Sequence, residues 1–204
     1  MDRSNKKTHG GNHAHPQKRA AALLAVFLLA ACSSVTKVTD FEHRSLAYGW
    51  VDIKDVEINH VSSIYIQQYR PKTDAPYYTT GFKKFKDGFL FWSMALPVGS
   101  HKLDTIKGQS CLGILCSNTF YTYNFGKQGD EVGAVVIKAP GVYHLGSYKM
   151  KNEKSGWLEQ SKFQVLPAPN APSRREMLEE ILKDDDTKDT PIIVERIKRE
   201  LARL

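Results

Sequence analysis

The sequence predicts a mainly β protein: an antiparallel β-sandwich of eight or nine strands carrying a C-terminal two-helix appendage. Three observations predict it. Between Val38 and Leu166, short runs rich in Tyr, Phe, Ile, Val and Thr recur with Gly and Pro between them. No helical period of useful length occurs before residue 172. Beyond it the aromatics vanish, and Glu, Lys, Arg, Asp, Leu and Ile take over.

The strands follow in order. In "WVDIKDVEI", Val51 and Ile53 alternate, then Val56 and Ile58 alternate in the opposite phase, which predicts a bulge or bend. "SIYIQQY" sets Ile64 and Ile66 against Tyr65, Gln67 and Tyr69. In "FKKFKDGFLFW", Asp87-Gly88 between two apolar runs predicts a hairpin turn. "TFYTYNF", "GAVVIKA", "VYHLGSY" and "KFQVL" complete the series. Strands at such regular spacing are the pattern of a sandwich or barrel.

"LPVGSHKLDTI" and "APGVYHLGSYK" share a Pro, a Gly and then alternation, through Gly99, His101 and Leu103 in one and Gly141, Tyr143 and Leu145 in the other. Pro and Gly make a tight turn, and the alternation starts a strand with one face buried. This pattern resembles prealbumin-like β-sandwich domains over about ten residues, twice, and implies a sandwich.

"LPAPNAP", Leu166 to Pro172, reads as a stiff connector over residues 167–172. Beyond it Ser173 and Glu176 have the spacing of a capping box. Met177, Leu178, Ile181 and Leu182 form one apolar stripe. Thr190 as N-cap and Pro191 at the first helical position start a second helix, with a stripe of Ile193, Val194, Ile197 and Leu201. Helices this short need tertiary support. They pack on the sandwich or each other, or they dock a partner.

The N-terminus gives the address. Arg3, Lys6, Lys7, Lys18 and Arg19 precede twelve residues without a polar side chain, Ala20 to Ala31. As a helix these span about 18 Å, short of the ~30 Å hydrocarbon core. A basic flank, a short apolar run and small residues make a secretory signal segment. Leu29-Ala30-Ala31-Cys32 resembles the lipobox of bacterial lipoproteins. The resemblance implies cleavage before Cys32, a diacylglyceryl group on its thiol, and an acylated amino terminus. Two or more chains anchor firmly where one does not. Ser33, where an Asp would favour inner-membrane retention, fits outer-membrane sorting. Residues 1–31 are then signal, 32–37 tether and 38–166 the sandwich, with 173–204 the helical segment.

The intact chain carries a net charge of +7, but cleavage removes five basic residues and one acid and leaves +3. That balance excludes a nucleic-acid binder. With Cys32 lipidated, Cys111 and Cys116 remain as a pair that an oxidising compartment would join. No cofactor and no metal is expected. "GQSCLG" is not a nucleophile elbow, no H-E-x-x-H occurs, and His43, His60, His101 and His144 are scattered. Tyr77, Tyr78, Phe82, Phe85 and Trp92, interleaved with Lys83, Lys84 and Lys86, form either a binding surface or a hairpin with one face in the core.

The expected function is that of a non-catalytic, lipid-anchored envelope protein at the periplasmic face of a Gram-negative outer membrane. It would act as an assembly or accessory subunit with an envelope protein partner. The alternatives are an envelope glycan- or small-ligand-binding protein, or a peptidoglycan or glycan hydrolase.

Overall fold

A computed structural model describes residues 40–204 apart from 75, 127, 130–132 and 154–161. All belong to one compact unit, Val38–Leu204. The lipobox and Cys32 lie outside the described residues.

The organising strand is β1 (Ser45–Asp55), buried on both faces from Ser45 to Val51. Double burial explains why its first half shows no alternation: there is no solvent face to make polar. It starts five residues before "WVDIKDVEI". The phase shift at Val56 is the bend that leads into β2 (His60–Arg70). On one side β1 pairs antiparallel with β5 (Gly88–Leu96), and β5 with β4 (Gly81–Phe85). On its other side it pairs parallel with β9 (Val142–Asn152), and β9 pairs antiparallel with β10 (Phe163–Pro167). The first sheet is therefore mixed, in the order β10-β9-β1-β5-β4.

The second sheet is antiparallel, in the order β3-β2-β6-β7, from β3 (Tyr77–Thr79), β2, β6 (Gly99–Leu112) and β7 (Leu115–Asn124). The short β8 (Ala134–Ile137) pairs with the start of β6. Ten strands are present among the described residues, against the eight or nine expected, and an all-antiparallel sandwich is corrected by the parallel β1–β9 pair. That pair spans a long stretch of intervening sequence, which strand-by-strand periodicity does not register.

Between the sheets lies a core of Val51, Ile53, Ile64, Ile66, Phe91, Leu103, Ile106, Leu145 and Met150, all less than 5% exposed. Both Pro-Gly motifs deliver as expected: each opens a strand whose leucine, Leu103 or Leu145, enters this core. The predicted hairpin is real, but its turn is Lys86-Asp87. Lys86 adopts a left-handed φ of 53°, and Gly88 pairs with Phe85 inside the strand. A side chain at Gly88 would strike the Trp50 ring and the Val51 carbonyl at 2.4 Å.

The far face of the first sheet is covered by three helices, α1 (Arg174–Ile181), α2 (Asp185–Lys188) and α3 (Pro191–Leu201). The capping box is formed: Glu176 N–H donates to Ser173 Oγ at 3.2 Å, and Ser173 N–H to Glu176 Oε2 at 2.8 Å. Thr190 caps α3 by position, but its hydroxyl donates back to the Asp186 carbonyl. The extra short helix is capped by Asp184 within the charged run that reads as a break. Met177, Leu178, Ile181, Ile193 and Ile197 pack on Leu46, Tyr48, Trp50, Leu90 and Trp92 as a second core. Lys83–Glu180 and Lys86–Glu176 ion pairs, each 2.5 Å, tie α1 to the edge strand β4 and to the turn after it.

Candidate functional site

The helices α1, α2 and α3 pack on the first sheet, and among the described residues none of the three covers the outer face of the second. Two features stand on it. The first is the β6–β7 hairpin. Strand β6 begins at Gly99, close to where Leu96 pairs with Ser45. It runs past the β1–β2 turn, where Asn59 N–H donates to the Gln109 carbonyl at 3.2 Å. Chain entry and hairpin tip are therefore at opposite ends, about 40 Å apart at the usual strand rise. Beyond Gln109 the hairpin leaves the sandwich, and Asn118, Thr119 and Phe120 are exposed in succession.

At the tip Cys111 and Cys116 lie opposite each other and are joined as a disulfide. Leu112 pairs with Leu115 across a Gly113-Ile114 turn, with Gly113 at φ 61°. Leu112, Ile114 and Leu115 are 86%, 97% and 73% exposed. From Gly108 to Gly126 no residue is charged. Clustered apolar exposure of this kind marks an interaction site.

The second feature is an open dent of about 400 Å³ on the same sheet. Its cause is a register shift: Tyr65 pairs with Thr105 but Ile66 with Leu103, so Asp104 is an extra residue in β6. Thr105 forms a buried floor. Its hydroxyl donates to the Asp104 carboxylate at 2.7 Å and lies 3.1 Å from Asn124 Oδ1. Tyr65 and the half-exposed Tyr77 line the opposite side, and Lys107 Nζ stands 5.4 Å from the Tyr65 ring centre. Gln67 Nε2 donates to the Tyr77 hydroxyl at 3.3 Å and steadies that ring.

The aromatic segment does not form one surface. Trp92 and Phe85 belong to the helix-facing core. Phe82 and Tyr78 pack against the core between the sheets, and the Tyr78 hydroxyl donates to Gln68 Oε1 at 3.0 Å. Of the five residues that could form a surface or a half-buried hairpin, only Tyr77 is exposed, because β4 and β5 put alternate side chains into two different cores. Of the two readings of the helical stripe, packing on the sandwich is the one seen. Ile193 and Ile197 are fully buried on the first sheet, Leu201 packs beside them, and Val194 is half-buried. The dent escaped sequence reasoning although its one-residue bulge leaves a trace, the change of phase from Leu103 to Ile106.

One further cluster lies beneath the helices. Tyr48 and His144 stack at 5.1 Å, Ser147 Oγ is 3.5 Å from His144 Nε2, and Arg174 Nε donates to the Tyr48 hydroxyl at 3.3 Å. Burial, aided by the Arg174 guanidinium, holds the His144 pKa down to about 4. A serine-activating imidazole is held nearer neutrality and oriented by a carboxylate. Here the neighbouring charge is a cation, so the imidazole is a weak base.

No family model and no curated protein matches this sequence. Among solved structures, it is similar to a candidate cell adhesion protein from Bacteroides fragilis, at 7% identity and a TM-score of 0.32. That match takes in 65% of this chain and 48% of the other, so the chain spans about half the length of that structure. Among the described residues no helix is long and apolar enough to cross a membrane.

Proposed function

We propose that the chain is a lipid-anchored, non-catalytic protein of the cell envelope that works as an interaction or assembly subunit, with the β6–β7 hairpin as its docking element. The observation that carries this is the tip: Leu112, Ile114 and Leu115 exposed on an uncharged hairpin and pinned by Cys111–Cys116. A preorganised apolar anchor loses little entropy on docking. The disulfide supports an oxidising compartment, in keeping with the signal segment and Cys32. The tip lies at the end of the domain opposite to the start of β1 at Ser45, where a partner can reach it. The hydrolase alternative has only Ser147–His144 in its favour, and the depressed imidazole weighs against it.

The test is site-specific photo-crosslinking of the full chain in its native envelope. A photoreactive residue replaces Ile114 in one variant and the exposed Val98, at the opposite end, in another. The expected result is one discrete adduct from position 114, absent from position 98 and lost when Leu112 and Leu115 are both Ser. Equal labelling from both positions, or none from 114, overturns the reading.

A further inference from the structure

We infer that the dent centred on Thr105 is a binding site for a neutral oligosaccharide, separate from the hairpin tip. Asp104 and Lys107 line the same small hollow. A phosphate or carboxylate ligand would meet the Asp104 carboxylate, and a cation would meet the Lys107 ammonium. A neutral, polyhydroxylated ligand meets neither penalty, because sugar hydroxyls both donate and accept.

The geometry adds three points. The polar groups converge: the Asp104 carboxylate, the Thr105 and Thr122 hydroxyls and the Asn124 amide lie together across two strands. Thr105 is 6% exposed and donates its single hydroxyl proton to the Asp104 carboxylate at 2.7 Å, so that carboxylate is oriented before a ligand arrives, and Asn124 Oδ1 stands 3.1 Å from the same oxygen. Tyr77, 56% exposed, offers a ring face beside them. The electron-rich face of an aromatic ring attracts the partly positive C–H face of a pyranose. Lys107 already occupies one side of the Tyr65 ring, so Tyr77 is the platform and Tyr65 the wall.

The size agrees. About 400 Å³ falls in the range of small-ligand pockets, roughly 300–1,000 Å³, and its open side lets a longer glycan run out along the sheet. Its construction by a β-bulge fits the tendency of bulges to re-aim side chains at functional sites.

The experiment is saturation-transfer NMR on the full-length protein in detergent, with maltotriose and triacetylchitotriose as probes and inorganic phosphate as a third. Transfer to the C–H protons of at least one sugar is expected. It should fall at least tenfold in Tyr77→Ala and in Asn124→Ala, both exposed positions whose loss leaves the cores intact. The Leu112→Ser/Leu115→Ser variant should bind sugar unchanged, which keeps this site distinct from the hairpin. Sugar signals that survive both dent substitutions overturn the assignment. So does binding of phosphate with neither sugar, or binding of no probe.

Discussion

His144 shows how much one side chain can report. Its ordinary pKa is near 6.5, and in the folded protein it is held down to about 4, by burial first and Arg174 second. Below pH 6.5 the unfolded chain takes up a proton that the folded chain refuses. Its stabilising contribution is therefore complete above pH 6.5, declines as pH falls towards 4, and is level below. Melting temperatures measured from pH 7.5 to 3.5 should show that decline, and His144→Phe should flatten it. Glu176 acts lower. The Lys86 ammonium, with the Ser173 cap, brings its carboxyl down to about 2, so the contribution of this pair is lost between about pH 4.5 and 2. None of this was legible in the sequence, where His144 is one histidine in an alternating strand. The Ser173–Glu176 box was legible because both partners lie within one helical turn.

At the scale of elements, local signals were read and non-local ones were not. Both helix starts, the β4–β5 hairpin and the two Pro-Gly strand openings depend on residues a few positions apart, and all appear. The face a stripe meets does not depend on its neighbours in sequence. Ile193, Val194, Ile197 and Leu201 read equally as a docking surface or a core, and burial decides for the core at Ile193 and Ile197. Ile197→Ala should cost about 2–5 kcal/mol of unfolding free energy, the usual toll of truncating a fully buried aliphatic chain. Val194→Ala, on the half-buried side, should cost less than half as much. Urea denaturation followed by tryptophan fluorescence suits both, since Trp50 and Trp92 lie in the same core. Equal losses at the two positions would contradict the packing described.

At the scale of the whole molecule the sequence conveyed a β-rich body with a helical tail. It did not convey that the tail covers one sheet and leaves the other bare. The outer face of the second sheet gains its meaning only from that asymmetry: the dent and the hairpin tip lie on the sheet that α1, α2 and α3 do not cover. The proposed anchor belongs to this scale too. Replacing Cys32 by Ser should abolish incorporation of labelled fatty acid and release the protein from the membrane fraction. The circular dichroism and melting temperature of residues 38–204 should stay as they were. Persisting label would refute the lipobox.

The parallel pairing of β1 with β9 bears on how the chain acquires its fold. Ser45 and Gly141 meet across 96 positions, and Arg196 clasps the Phe41 carbonyl across 155. Contacts between such remote segments make folding slow, because a long loop must close before any of them contributes. The first strand waits for the ninth, and its outer face waits for the last helix. Synthesis from the N-terminus therefore leaves β1 without a partner on one edge and without cover on one face until nearly the whole chain exists. On the export proposed above, that delay has a use: the chain stays threadable until it has crossed.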